Sequence, residues 1–455
     1  MVYKDTGESV VAPVLNKSGW HQLKTHRITV WVASRSKTQR AIGMIASVNF
    51  MGSMIGIIGS LVQAHFIAPD VLGFVRKYSV VSSYAIFFSL GLFIILRREY
   101  AVLIGRGEKE KANQTVAIVQ SWCLLISAII CGSLLVVTLI ELLLGRWREA
   151  AAWFIQVVAV WTTLYVGFLD STFRSGQEFE KKAKGQFMGD TGTAIIIPVF
   201  WLWPFPALVL RSVVGSIITS IYLHIFRPVK IGWCLPWREF LNLVKRGMRL
   251  FMSDYLRYYF WLTVEIWLVL LFSGDKGVGL YVFSSMLVVV SSQIITAINM
   301  VYIPQLAQRY GQTERITSCL KLAIKPTIIN IGISIFIICS FWILLPPVIS
   351  YAFPNYLDAI LISRILILRI LLISITLPIF MLTILESYIT QLIAAIIGLV
   401  VFIGTAFTLN SMGLRLTAVP WGTLVGQVVF TGICLSWLGI KVYSSKSSAF
   451  SSKNS

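Results

Sequence analysis

The feature that most constrains this chain is the recurrence of apolar stretches long enough to cross a bilayer. A hydrocarbon core about 30 Å thick needs about 20 apolar residues in a helix that rises 1.5 Å per residue. Twelve windows qualify: 42–64, 78–96, 115–140, 151–170, 190–209, 211–226, 250–272, 278–303, 326–345, 364–386, 388–409 and 418–440. The fifth and sixth are the hardest to separate, because Pro204 and Pro206 interrupt the run and Arg211 alone divides the two windows. Charged residues make up 13% of the 455, against about 25% in a soluble domain. That deficit excludes a water-soluble enzyme and predicts an all-α polytopic membrane protein. The net charge of +20 would point to nucleic acid in a soluble chain. In a membrane chain it predicts basic loops against an anionic cytoplasmic leaflet, with membrane lipids as partners and no nucleic acid.

Orientation follows from where the cations fall. With the N-terminus inside, the inner segments carry 29 Lys and Arg and the outer loops carry 8. Cytoplasmic segments are enriched in these residues, so both termini are expected in the cytoplasm. The stretch 1–40 is basic and rich in Ser and Thr and reads as a disordered cytoplasmic tail. No signal peptide is expected, because the first apolar window begins after that tail and is too long for one. A second short tail is expected at 442–455. No loop is long enough for an extramembrane catalytic domain, so the bundle itself must do the work and no enzyme is expected. The six cysteines form no CxxC pair, which favours free thiols over a disulfide framework or zinc site. No cofactor or metal is expected.

The spans repeat. Shifting the starts of the first six windows by about 206 residues lands near the starts of the last six. The link Asp70-Val71-Leu72-Gly73-Phe74 has a counterpart in Asp275-Lys276-Gly277-Val278-Gly279-Leu280. The reading is therefore two parallel six-helix lobes, 41–226 and 250–441, around a central cavity, the plan of many secondary transporters. Between them, 227–249 places Trp237, Phe240, Leu241, Val244 and Met248 at helical spacing, with Arg238, Lys245 and Arg249 off that face. It reads as an interfacial linker helix on the cytoplasmic leaflet.

Several motifs carry a family resemblance. Ile67-Ala68-Pro69-Asp70-Val71-Leu72-Gly73 follows the first span, and Ser89-Leu90-Gly91-Leu92 and Arg97-Arg98 close the second. Gly277-Val278-Gly279-Leu280-Tyr281 joins the seventh and eighth spans, and Pro304-Gln305-Leu306-Ala307 ends the eighth. In order and spacing these resemble the polysaccharide (oligosaccharide-lipid) flippases of the multidrug/oligosaccharidyl-lipid/polysaccharide exporter superfamily, the group that includes O-antigen flippases. The resemblance implies export of an undecaprenyl-diphosphate-linked oligosaccharide by alternating access in the bacterial cytoplasmic (inner) membrane. It also implies surface polysaccharide biosynthesis, beside glycosyltransferases and a polysaccharide polymerase.

Charges inside the spans mark the candidate site. A charge at mid-membrane costs about 2.5–3.5 kcal/mol on insertion scales and needs a partner or a wet cavity. The seventh window holds Asp254, Arg257 and Glu265, which with Tyr258 and Trp261 form one stripe on a helix. The expectation is a cavity wall in which Asp254 pairs with Arg257 and the Arg257 guanidinium binds diphosphate. Ser292, Thr296 and Asn299 form a second polar face on the eighth window, able either to line the cavity or to bond a neighbouring helix. Arg369 in the tenth can face the lumen or snorkel outward. Arg76 and Lys77 read as outer anchors, and Asp170 with Arg174 as an inner rim. The alternatives are a cation-coupled multidrug exporter of the same superfamily, a major-facilitator-type porter and a polymerase. Against these stand the lack of Asp or Glu in 42–64, the missing acidic-basic loop motif after the second span, and the lack of a large outer loop.

Overall fold

The computed structural model describes residues 51–451 apart from 53, 177, 314, 315 and 386. The tail expected at 1–40, the start of the first window and residues 452–455 lie outside the described residues. Among the described residues every regular element is helical. The chain runs through α1 (Met54–Phe66) and α2 (Pro69–Ser89), which bends by 44° into α3 (Leu92–Gly105). The bend has a local cause: Leu90 and Gly91 are both left-handed, at φ 51° and 75°. Next come α4 (Lys109–Leu143), α5 (Trp147–Ser175), α6 (Phe179–Ile195) and α7 (Pro204–Ile225). Then come α8 (Trp237–Asp254), α9 (Trp261–Thr313), α10 (Ile316–Ala352) and α11 (Ala359–Ser374), which bends by 49° into α12 (Thr376–Ile384). The last are α13 (Tyr388–Ser411) and α14 (Arg415–Tyr443).

Seven of the described helices are long and apolar enough to cross a membrane, nine if each bent pair is one span. The 53 residues of α9 would reach about 80 Å if straight, more than twice the hydrocarbon core. Instead the element turns back at Gly274, whose φ of 64° and ψ of −166° are not helical. Its arms are antiparallel, since the Tyr281 hydroxyl donates to Glu265 Oε2 at 2.7 Å.

Two boundaries differ from the hydropathy reading. The fifth segment begins at Phe179 as α6, within a run of lysines, and ends in a 3₁₀ turn, Ile197–Trp201. Pro204 then opens α7, where its missing N–H is no loss. Arg211 is therefore not a link between spans; it lies inside α7. The linker helix α8 continues through a π-helical stretch, Tyr255–Phe260, into α9. Phe240, Leu243 and Phe251 of this region pack with Leu92, Val119 and Phe168 of the first lobe. Gly91 and Gly247 let the two backbones touch: a Cβ on Gly91 would lie 2.4 Å from the Gly247 carbonyl oxygen.

The packing differs between the two ends of the bundle. At the end that the charge bias places outside, the outer end, one cluster spans both lobes. It joins Ile67, Leu72, Val75 and Leu208 to Val278, Leu280, Tyr281 and Tyr356. At the other end there are two clusters, one around Leu96, Phe168 and Phe173, whose buried members from the second lobe are Phe251 and Tyr255 alone, and one around Leu306, Met381 and Cys434. The outer contact is reciprocal. A Cβ on Gly73 would lie 1.7 Å from the Asp275 carbonyl oxygen, and one on Gly279 would lie 1.7 Å from that of Pro69. Gly73 and Gly279, like Pro69 and Asp275, are 206 residues apart, the offset of the repeat. Any side chain at either glycine would push the two backbones apart. Lys77 and Asp275 at 2.8 Å, Tyr356 Oη donating to the Ile67 carbonyl at 2.9 Å and His65 Nδ1 at 2.9 Å from the Ala352 carbonyl oxygen complete the closure.

Candidate functional site

Two chambers stand out among the described residues, one in each lobe, and the start of the seventh span contributes to both. The C-lobe cavity, about 390 Å³, is lined by Arg257, Tyr258, Leu262, Glu265, Arg369, Gln427 and Phe430 among others. The N-lobe cavity, about 510 Å³, is lined by Arg97, Asp170, Arg174, Lys182, Gln186 and the threonines 162 and 163, with Tyr259 entering from the other lobe. Tyr258 and Tyr259 are successive residues of the π-helical stretch 255–260, and their side chains diverge to the walls of different chambers. A second π-helical stretch, Thr162–Val166, supplies Thr162, Thr163 and Val166 to the N-lobe wall. Such interruptions recur where function requires a side chain to be re-aimed.

In the C-lobe, Glu265 is almost fully buried and satisfied on both oxygens. Thr423 Oγ1 donates to one oxygen and Tyr281 to the other, and the Arg369 guanidinium lies 3.3 Å away. Arg369 Nε donates to Gln427 Oε1 at 3.1 Å. This is a closed electrostatic unit: a buried charge that keeps its partner and its hydrogen bonds avoids the desolvation penalty of standing alone. Arg257 has different neighbours. Its guanidinium sits over the rings of Tyr258 and Phe430, 4.9 and 4.8 Å from their centroids. No carboxylate forms an ion pair with it among the described residues, so the expected Asp254–Arg257 pair is absent. Asp254 is exposed and lies in the fields of both Arg257 and Arg97.

The structure thus brings Arg257, Tyr258, Trp261, Glu265 and Arg369 to one cavity and leaves the rest of the predicted set elsewhere. Trp261 touches the cavity edge but is 5% exposed. Its ring stacks on Phe402 at 5.6 Å, donates to Thr423 Oγ1 at 3.0 Å and fills the gap beside Gly398 and Gly426. Leu262, four residues and about one turn beyond Tyr258, is 45% exposed and lines the same cavity. Ser292 and Thr296 bond carbonyls of their own helix, and Asn299 accepts from Asn330 Nδ2 at 2.9 Å, so this face joins α9 to α10.

The N-lobe chamber is only partly legible in the sequence. Asp170 holds Arg174 Nε at 2.7 Å and Lys182 Nζ at 2.5 Å, while Arg97 Nε donates to the Phe93 carbonyl. Among the lining residues three cations thus face one carboxylate, and Asp254, outside the lining, adds its field at Arg97. Arg174 and Asp170 are four apart on α5 and can be paired from sequence, as an i,i+4 pair. Lys182 sits on α6 and Arg97 on α3, and only the packing of these helices unites them. Hydropathy also passes over Asp190, which stands at a window edge and has one carboxylate oxygen buried and unpartnered beside Gly52.

Two half-bundles that share one packed cluster and hold cavities lined with ionic side chains make a two-lobed helical membrane fold. Residues 109–328 match a family described as "Polysaccharide biosynthesis protein". An inward-facing multidrug resistance MATE family transporter of the MOP superfamily superposes with a TM-score of 0.70 at 16% identity, over 90% of this chain and 99% of that one. The outward-facing form of such a transporter gives 0.62 at 16% identity, over 89% and 96%. A MOP superfamily transporter from Pyrococcus furiosus, described as having a binding pocket of reversed polarity, gives 0.62 at 16% identity, over 89% and 96%. No curated protein matches the sequence. The family match, over 220 of the 455 residues, and the shared fold both agree with the resemblance read from the motifs.

Proposed function

We propose that this protein exports a lipid-linked oligosaccharide, carried on a polyprenyl diphosphate such as undecaprenyl diphosphate, across the bacterial cytoplasmic membrane. The observation that carries this reading is the excess of cations in the N-lobe chamber. Arg97, Arg174 and Lys182 against Asp170 form a trap for a phosphate-rich headgroup and repel a cationic drug. Guanidinium groups hold their charge when partly dehydrated and offer a planar fork to phosphate oxygens. Tyr258 and Tyr259, 56% and 40% exposed at the boundary between the chambers, provide faces on which sugar rings can lie. Arg257, in no ion pair among the described residues and held over two rings, offers a second anion contact as the headgroup moves toward the C-lobe. The lipid tail stays in the bilayer beside the cleft. Glycosyltransferases that build the unit and a polymerase that consumes it are the expected partners.

The test is flipping in proteoliposomes, with a fluorescent polyprenyl-diphosphate monosaccharide as probe. The wild-type protein is expected to move it between leaflets, and a variant with Arg97→Gln and Arg174→Gln to lose at least nine-tenths of that rate. Faster efflux of an organic cation than of the probe would reject this reading in favour of a drug exporter.

A further inference from the structure

Beyond the two chambers, one helix face has no role in either. The first three turns of α8 lie across α3 and α4 of the N-lobe and divide into edges of different character. One edge is buried. The Phe240 ring centroid lies 4.6 Å from that of Trp122, Leu243 is buried, and a Cβ on Gly247 would lie 2.7 Å from the Gly91 carbonyl oxygen. A second edge is polar and partnered: Gln114 Nε2 donates to Glu239 Oε2 at 2.5 Å, and Arg246 pairs with Glu99. These contacts orient the helix. At 1.5 Å per residue, Gln114 and Glu99 lie about 8–9 Å from the inner ends of α4 and α3, Lys109 and Gly105, and Trp122 and Gly91 lie about 20 Å from them. So α8 crosses its neighbours with the partnered edge turned to the inner surface. Two edges remain. Beside Phe240, away from Glu239, come Trp237 and Leu241, both exposed. Beyond them, opposite Gly247 and about 20° apart on the helix, come Arg238 and Lys245, also exposed. Among the described residues neither cation has an ion pair or a side-chain hydrogen bond, although Arg246 on the same helix has Glu99. Trp233, just before α8, is exposed as well. Its stretch is held on α4, where Gln120 Nε2 donates to the Ile231 carbonyl at 3.2 Å and the Cys234 N–H donates to Ser121 Oγ at 2.9 Å.

An apolar edge beside a cationic edge, on a helix laid across the inner ends of its neighbours, matches the boundary of a lipid leaflet. Apolar side chains enter among the acyl chains, cations stay with the headgroups, and tryptophan is enriched at that level. We propose that this face of α8 binds an anionic phospholipid of the inner leaflet, with its acyl chains against Trp237 and Leu241 and its phosphate within reach of Arg238 and Lys245, two turns apart. Charge decides the lipid class: two cations without carboxylate partners attract an anionic headgroup far more than a zwitterionic one. Because α8 runs through the π-helical stretch into α9, the lipid steadies the element on which Arg257, Tyr258 and Tyr259 sit. The site does not depend on which substrate the chambers carry.

The experiment titrates the full-length protein, in a neutral detergent, with phosphatidylglycerol or with phosphatidylcholine and counts bound lipids by native mass spectrometry. The wild type is expected to hold its first phosphatidylglycerol at least tenfold more tightly than phosphatidylcholine; equal affinities overturn the proposal. Arg238→Gln with Lys245→Gln should weaken phosphatidylglycerol at least tenfold and leave phosphatidylcholine within about twofold. Its unfolding temperature without lipid should match that of wild type, because the two side chains make no bond that the change removes. Phosphatidylglycerol binding within twofold of wild type in this variant overturns the site. Lys321→Gln with Lys325→Gln removes two exposed cations from the inner end of α10 and should bind as wild type does. An equal loss there means that net charge, and not this face, attracts the lipid, and the proposal falls. Trp237→Ala with Leu241→Ala keeps both cations and should weaken both lipids; it carries the test if the charge variant folds poorly, and unchanged binding in it reduces the site to a diffuse attraction and overturns it. A polyprenyl diphosphate that displaces phosphatidylglycerol from the wild type at a tenth of its concentration would assign this face to the substrate instead, and that result also overturns the proposal.

Discussion

The two chambers contain similar residue types and use them in opposite ways. In the C-lobe, Glu265 and Arg369 neutralise each other and are tied down by Tyr281, Thr423 and Gln427. In the N-lobe, Asp170 is shared between Arg174 and Lys182, and Arg97 makes do with a backbone carbonyl. One set is closed and the other carries excess charge. The lesson is that the presence of intramembrane charges does not locate a binding site; their balance does. A closed pair holds helices in register, whereas an unbalanced set keeps attraction in reserve for a ligand.

The strongest way to break this contrast is to open the closed pair. Glu265→Ala strands Arg369 in the bundle, and breaking a buried pair on one side costs about 3–5 kcal/mol. The expected outcome is a large fall in folded yield and in unfolding temperature. Glu265→Gln with Arg369→Gln should recover much of it, and a single variant as stable as wild type would dissolve the contrast. The opposite result is expected in the N-lobe. Lys182→Gln leaves Asp170 paired with Arg174, so thermal unfolding should shift little while probe binding weakens about tenfold, roughly 1.4 kcal/mol. Equal losses of stability in the two lobes would mean that both sets are structural.

A smaller effect sharpens the geometry of the cavity wall. Cysteines at Tyr258 and Leu262 should react with a water-soluble thiol reagent several-fold faster than one at Trp261, which is packed against Phe402. Fast reaction at 261 and protection at 262 would contradict this packing of the wall. The smallest effect is expected where polar side chains only join helices. The coupling between Asn299 and Asn330 in a double-mutant cycle should be about 0.6 kcal/mol, the average for such bonds in membranes. Flipping should not change, because neither side chain lines a chamber.

The resemblance between the halves is visible in sequence as a repeat of 206 residues, yet its consequence is not. Hydropathy can show that Gly73 and Gly279 occupy equivalent links. It cannot show that each link packs its glycine against the other's carbonyl. The same limit applies to the stripe on the seventh span. Arg257, Tyr258, Trp261 and Glu265 do share one cavity, as an ideal helix would place them, with Leu262 beside them. A helical wheel cannot show that Trp261 is taken up by Phe402 and Thr423, or that Asp254, just before the π-helical stretch at 255–260, makes no ion pair with Arg257 among the described residues.

The sequence by itself determined the all-helical membrane class, the two-lobe plan and Arg257, Tyr258, Glu265 and Arg369 as residues of interest. It could do so because spanning length, apolar composition and the cost of an intramembrane charge act on each segment locally. Only the tertiary structure decided which charges neutralise one another. The N-lobe chamber is assembled from Arg97, Asp170, Arg174 and Lys182 on α3, α5 and α6, and the C-lobe unit from Glu265, Arg369 and Thr423 on α9, α11 and α14. Ion pairing acts over a few ångströms of space, and the approach of distant helices that creates those distances comes from packing, which no single segment contains.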